Sequence, residues 1–173
     1  MHMILRTLLI FLRKRFLEKA SFGEKTTISM RVLPTDLDLL WHVNNGVYFS
    51  YMDFGRWDSI FRNGVYDLAR ERGWYSVVAG ETIKFKRSLK LWDRFELETL
   101  IKGYDDKYFY IQQRFLKKGE LMATGLVKVR FLSKSGGNVS VKDVLDLFKD
   151  HKIEGAHELG KDWFGLETKH LNF

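Results

Sequence analysis

Asp36, Asp38, His42, Asn44 and Asn45 lie close together in the run P-T-D-L-D-L-L-W-H-V-N-N-G-V-Y, from Pro34 to Tyr48. A carboxylate beside the start of a helix suits chemistry on a carbonyl group. The carboxylate can activate water or attack directly, and backbone N–H groups can hold the oxygen on which charge develops. Asn44 and Asn45 are strong helix N-cap residues, because a short side-chain oxygen accepts from the first unpaired amides. The amides of Asn45 and Gly46 are the candidate donors, helped by about half a unit of positive charge from the helix dipole, and Gly46 lets a ligand come close. Asn44 is then the cap that aligns them. On these residues alone, an Asx turn is the plainer reading of Asp38. Asp36 is expected to be structural, bonding the loop backbone or pairing with Arg31 or Arg56. His42 is expected to support the site, orienting Asp38 or a water as neutral imidazole, or acting as a hydrogen-bonding strut.

These residues must be positioned by the elements on either side. Lys25 to Leu33 alternates around Ile28, Met30 and Val32 as a strand does, and Pro34, which cannot donate to a ladder, stops it. From Asn45 to about Arg62 the period changes: Tyr48, Tyr51, Met52, Gly55, Ser59 and Ile60 recur at helical steps, and Gly64 supplies a stop. That helix is rich in aromatic residues with weak helix propensity, so burial must hold it and something large must wrap it. A short helical turn follows at Tyr66 to Arg72. Four long strand-like runs come next, at Tyr75 to Arg87, Arg94 to Tyr104, Tyr108 to Leu116 and Leu121 to Leu132. In the last run Leu121, Ala123, Gly125, Val127, Val129 and Phe131 form a core face, and Met122, Thr124, Lys128 and Arg130 a wet one. Turn chemistry at Asp105-Asp106 and Lys118-Gly119 predicts an antiparallel meander of the last three runs. Ser140 and Asp143 open a helix to about Phe148. The pattern predicts an α+β domain in which one curled antiparallel sheet wraps a long central helix.

The 173-residue chain, 45% hydrophobic and 29% charged, fits one globular domain at about 25–150. An N-terminal helix is expected over 1–24 and a tail over 151–173, with Trp163 and Phe164 as its anchors. There are no cysteines, which excludes disulfides, thiolate metal sites and cysteine nucleophiles. No metal-ligand cluster, phosphate loop or serine elbow appears, so neither metal nor cofactor is expected. The net charge of +7 is concentrated towards the N-terminus, and no nucleic-acid motif accompanies it. Ile4, Leu5, Leu8, Leu9, Leu12, Phe16 and Leu17 recur at helical spacing before a cluster of basic residues. This segment is too short and too interrupted to span a bilayer. It reads either as a helix lying on an anionic membrane surface or as one docked on its own domain or a partner subunit.

The element order, together with D-x-D-x-x-x-H-V-N-N-G-x-Y at Asp36 to Tyr48, resembles the hotdog-fold acyl-CoA thioesterases of the 4-hydroxybenzoyl-CoA thioesterase type, over roughly Lys25 to Leu132. The longer run from Arg31 to Tyr48 is similar to a branch of that family with a hydrophobic N-terminal segment. The resemblance implies hydrolysis of the thioester of an acyl-CoA or acyl-carrier protein, coenzyme A being part of the substrate. The catalytic carboxylate falls on Asp38 and the carbonyl-polarising amide on Asn45. It further implies a site shared between two protomers joined edge to edge, hence a homodimer or a tetramer of paired dimers, in the cytoplasm or at a membrane surface. Many relatives have glycine where this chain has Trp41, and a bulky residue there would either narrow the acyl pocket or mark a different loop path; Trp41, Gly46 and Tyr48 are expected substrate contacts. Lys84, Lys86, Arg87 and Lys90 are placed to meet the phosphates of coenzyme A, or else form a solvent-facing basic strand edge. Some hotdog thioesterases use a helix carboxylate, which makes Asp53 and Asp58 the rival acids. The alternative function is a non-catalytic acyl or lipid binder held at a membrane by the N-terminal helix.

Overall fold

The computed structural model describes residues 2–148 and 153–155. Its centre is α2 (Asn45–Arg62), whose capping residue Asn44 accepts from the Gly46 amide. Tyr48, Tyr51, Met52, Phe54, Gly55, Ser59 and Phe61 are all buried, and so are the polar Arg56 and Asp58. Burial around most of the circumference explains how so aromatic a segment remains helical.

The wrapping is a six-stranded antiparallel sheet. Its strands are β1 (Thr26–Arg31), β2 (Trp74–Phe85), β3 (Arg94–Tyr104), β4 (Phe109–Lys117), β5 (Glu120–Ser133) and the short β6 (Asn138–Val139). The order is β1-β3-β4-β5-β2, with β6 on β5. The meander β3-β4-β5 turns where Asp105 Oδ1 accepts from the Lys107 and Tyr108 amides, both at 2.8 Å, and where Lys118 and Gly119 adopt φ of 51° and 78°. A sheet of this order leaves β1 and β2 at its edges. The exposed large side chains Tyr75, Val78 and Phe85 all lie on β2.

The core face of β5 holds Ala123, Gly125, Val127, Val129 and Phe131, all buried. The opposite face is drier than alternation implies. Met122 and Lys128 are also buried, and Lys128 Nζ lies 4.7 Å from the Tyr108 ring centroid, so its charge is covered by an aromatic face.

Two short helices close the ends of the domain: α3 (Val65–Glu71) and α4 (Val141–Leu145), the latter capped by Ser140 Oγ accepting from the Asp143 amide at 3.0 Å. The latter stops short of the expected Phe148, where only turn-like backbone follows. Trp163 and Phe164 lie outside the described residues.

At the N-terminus, α1 (His2–Arg13) docks on α2. Its seated face differs from the expected stripe. Ile10 is buried, and the Phe11 ring lies 4.9 Å from Phe61 and 5.2 Å from Trp57. Ile4, Leu8 and Leu12, part of the apolar stripe read from the sequence, stay exposed with Phe16, which is 87% accessible. Aromatic packing and the polar contacts of Arg6 and Lys14 decided which side faces inward.

Candidate active site

The loop between β1 and α2 carries the chemistry. It opens with a 3₁₀ turn at Pro34–Asp36, and a narrow hairpin follows: the Asp38 amide donates to the His42 carbonyl at 2.8 Å, and Leu37 bridges Val43. The loop is clasped from the far side by the β2–β3 connection. The Val43 amide donates to the Leu89 carbonyl at 3.0 Å, His42 bridges Lys90, and the Leu89 amide donates to the Tyr48 hydroxyl at 3.2 Å.

Asp38 sits at the head of this hairpin, half-buried. Its Oδ1 accepts from the Leu40 amide at 2.8 Å and from the His42 amide at 3.3 Å, an Asx-turn arrangement. Among the described residues no hydrogen bond occupies Oδ2. One oxygen therefore holds the loop in shape and the other is left for a water or a ligand.

Asp36 has the opposite environment. It is fully buried, its Oδ2 accepts from the Leu33 amide at 2.7 Å and the Tyr51 hydroxyl at 2.7 Å, and Arg6 pairs with it at 2.9 Å. The structural role stands, but the partner is neither Arg31 nor Arg56. Arg56 lies further along α2, paired with Asp53 and Glu81. Burial and the hydrogen bond to Asp36 push the Tyr51 phenol far above its ordinary range, so it remains a donor at any physiological pH.

At the helix start, the Gly46 amide is bound by Asn44 Oδ1 at 2.9 Å and the Val47 amide by the Asn44 carbonyl at 2.9 Å. Capping thus consumes the Gly46 donor, which had been expected to polarise a carbonyl together with Asn45. The Asn45 amide, at an exposed turn, has no acceptor among the described residues. A Cβ on Gly46 would come within 3.3 Å of Asn44 Oδ1, so glycine keeps the cap uncrowded.

Two expected substrate contacts are arranged differently. Tyr48 is buried against Phe85 and Phe115 at 5.0 and 5.1 Å, with its hydroxyl engaged by Leu89, so within the protomer it is a core strut and not a pocket wall. Trp41 adopts φ of 60° and is 71% exposed, next to Leu40 and the 98% exposed Leu39. A left-handed residue here explains why glycine suits the position, and an indole pointing into solvent does not narrow a cavity of its own protomer.

Beside His42 opens a cleft of about 540 Å³ lined by Arg87, Ser88, Lys90, Lys117, Lys118 and Glu120. Arg87 pairs with Glu120, and Lys117 Nζ lies 2.8 Å from Asp93 Oδ2, which leaves Lys90 and Lys118 as surplus positive charge. Lys84 and Lys86 are exposed but do not line it. Strand alternation and the turn out of β2 carry them elsewhere. Lys117 and Lys118 were missed as site residues because they stand 75 and 76 positions beyond His42 in the sequence; the β4–β5 turn brings them alongside.

The rival acids are both occupied. Asp58 is buried, its Oδ2 accepting from Arg62 Nε at 2.7 Å, and burial raises its pKa. Asp53 pairs with Arg56 and borders a hollow of about 140 Å³ between α2 and the sheet, walled by Val78, Ile111 and Phe131 among others. Its lining on α2 begins at Asp53, eight helical residues beyond Asn45, about 12 Å along the axis. Among the described residues no three histidine or carboxylate side chains converge on a possible metal position.

The chain belongs to the thioesterase-like superfamily, whose pattern matches residues 32–148. Its fold is the hotdog fold. The protein is similar to Protein THEM6 of Xenopus laevis, with 45% identity over 85 residues, which is 49% of this chain and 41% of that protein. The chain thus spans under half the length of that relative. Among solved structures it resembles the probable thioesterase YbaW from Escherichia coli, with TM-score 0.65 and 19% identity, over 70% of this chain and 97% of that one. It also resembles a 4-hydroxybenzoyl-CoA thioesterase mutant complexed with 4-hydroxybenzoyl-CoA, with TM-score 0.64 and 18% identity, over 72% and 98% of the two chains. At these identities the two structures bear on the fold alone.

Proposed function

We propose that this protein hydrolyses the thioester of an acyl-CoA or acyl-carrier protein at the loop that ends on the α2 N-terminus. The observation that carries the reading is a half-buried Asp38 with one oxygen unengaged on the same braced loop as an Asn45 amide that has no acceptor among the described residues. Asp38 takes a proton from water, and the hydroxide adds to the thioester carbonyl carbon. The Asn45 N–H and the helix dipole hold the resulting oxyanion. As the intermediate collapses the C–S bond breaks, the proton passes to the departing sulfur, and a free thiol and a carboxylic acid leave. Direct attack by Asp38, through an acyl anhydride that water then cleaves, uses the same atoms. His42 braces the loop through its backbone and Asn44 aligns the Asn45 donor by capping.

The cleft beside His42 is the reading for the phosphates of coenzyme A, with Lys90 and Lys118 as point charges. The acyl group then needs a wall that one protomer lacks at Trp41 and Gly46, and a second copy paired along the β2 edge supplies it. The exposed apolar ridge of α1, with Arg13, Arg15 and Lys19 beyond it, favours peripheral contact with an anionic membrane. No helix among the described residues is long and apolar enough to cross a membrane.

The test is thiol release from a panel of acyl-CoAs. Asp38→Asn is expected to lower turnover on the order of 10²- to 10⁴-fold while acyl-CoA still binds. Full activity in that variant removes Asp38 from the mechanism. Tight binding of acyl-CoA without turnover by the natural chain would favour an acyl-binding role instead.

A further inference from the structure

The loop that carries Asp38 is tied to the N-terminal helix through Arg6. Arg6, on α1, places Nη2 at 2.9 Å from Asp36 Oδ2 and Nη1 at 3.3 Å from Asp36 Oδ1, a two-pronged contact with a fully buried carboxylate. The same Nη2 donates to the Arg31 carbonyl at 3.1 Å, at the end of β1 where the loop begins. The guanidinium carbon lies 5.4 Å from the centroid of the Tyr51 ring, whose hydroxyl donates to Asp36. One arginine therefore joins α1, the end of β1, the loop and the first turns of α2.

What Asp36 does with its backbone gives this latch its reach. Its carbonyl accepts from the amide of Asn44, the α2 cap, at 2.9 Å, and its own amide donates to the Leu33 carbonyl at 3.0 Å. The residue whose side chain Arg6 neutralises is thus the residue whose backbone holds the cap, two positions before Asp38. Without Arg6, a carboxylate this buried loses a two-pronged charge-assisted contact, and recovering hydration or a proton moves the segment from Pro34 to Asn44.

We propose that Arg6 is a positioning residue of the active site, which makes α1 part of the catalytic scaffold: Arg6 holds Asp36 so that the Asn45 amide and the Asp38 carboxylate keep their relative placement. Its effect on turnover rests on the thioesterase reading. Its effect on the loop does not.

The experiment combines hydrogen exchange with kinetics on the full chain. In Arg6→Gln the amides of Asp38 and Asn44, which donate to His42 and Asp36, are expected to exchange faster by about tenfold or more. Turnover is expected to fall on the order of 10²-fold with KM for acyl-CoA changed much less, because the loss is one of alignment. Arg6→Lys should recover part of both, since it restores the charge without the fork. Lys14→Ala serves as the control, because it cuts the ion pair between Lys14, just beyond α1, and Asp67 without touching Asp36, and it should leave the two amides as they were. If Arg6→Gln does not fold, Arg6→Lys against Lys14→Ala carries the same comparison. Unchanged exchange in the Arg6 variants, or an equal rise in Lys14→Ala, overturns the proposal. If the natural chain shows no hydrolysis, the function fails separately, and the exchange result still decides the role of Arg6.

Discussion

Asp36 and Asp38 are separated by one leucine, yet one is sealed beneath an arginine and a tyrosine while the other keeps an oxygen free. The difference follows from the turn between them. A 3₁₀ turn directs Asp36 inward and the hairpin begins at Asp38. Asn44 is the neighbouring residue on which alignment depends. Replacing it with alanine is expected to cost about 1 kcal/mol in a denaturant melt, through loss of the cap to Gly46, and to lower turnover by tilting the Asn45 amide. A melt within a few tenths of the natural chain would show that the cap carries no such weight.

At the scale of elements, α2 lies against the sheet more closely than most side chains permit. A Cβ on Gly55 would fall 2.7 Å from both Gln113 Nε2 and Leu97 Cδ2, and 2.8 Å from Thr99 Oγ1. Gln113 cannot easily yield: it is fully buried, accepts from Arg56 Nη1 at 3.0 Å, and donates to the Met52 carbonyl at 2.9 Å and to Thr99 at 3.0 Å. Gly55→Ala should destabilise by about 1–3 kcal/mol, read from the urea midpoint at constant slope.

The same network gives a pH signature. Burial raises the pKa of Glu81 above its ordinary 4.5 and nearby Asp53 adds to this, against the lowering pull of Arg56. The folded state then holds that proton to a higher pH than the unfolded chain does. Its contribution to stability is fullest below about 4.5 and declines as pH rises through the raised value. Buried Asp58, raised despite Arg62, acts in the same direction. Melts recorded from pH 4 upward should show a smaller decline from this source in Glu81→Gln, and identical profiles would contradict it.

For the whole molecule, β2 is the strand that bears on assembly. It is an edge strand with Tyr75, Val78 and Phe85 exposed, and an apolar edge invites pairing. Sedimentation is expected to show a dimer at micromolar concentration, with Val78→Lys shifting it towards monomer and lowering activity in parallel. A monomer that is fully active would mean that the protomer holds a complete site.

Much was legible in local sequence because local physics decides it. The switch from period two to helical period placed β1 and α2, the cap at Asn44 follows from its short oxygen, and the turns at Asp105 and Gly119 set the meander. Other features depend on groups distant in the chain. Which face of α1 turns inward was settled by Phe11 meeting Trp57 and Phe61, and by Arg6 finding Asp36 thirty residues away. The basic cleft formed where the β4–β5 turn met His42 and the end of β2. Periodicity reports how polar a face is. Only packed coordinates decide which of two apolar faces gains more contact, and which buried charge meets which partner.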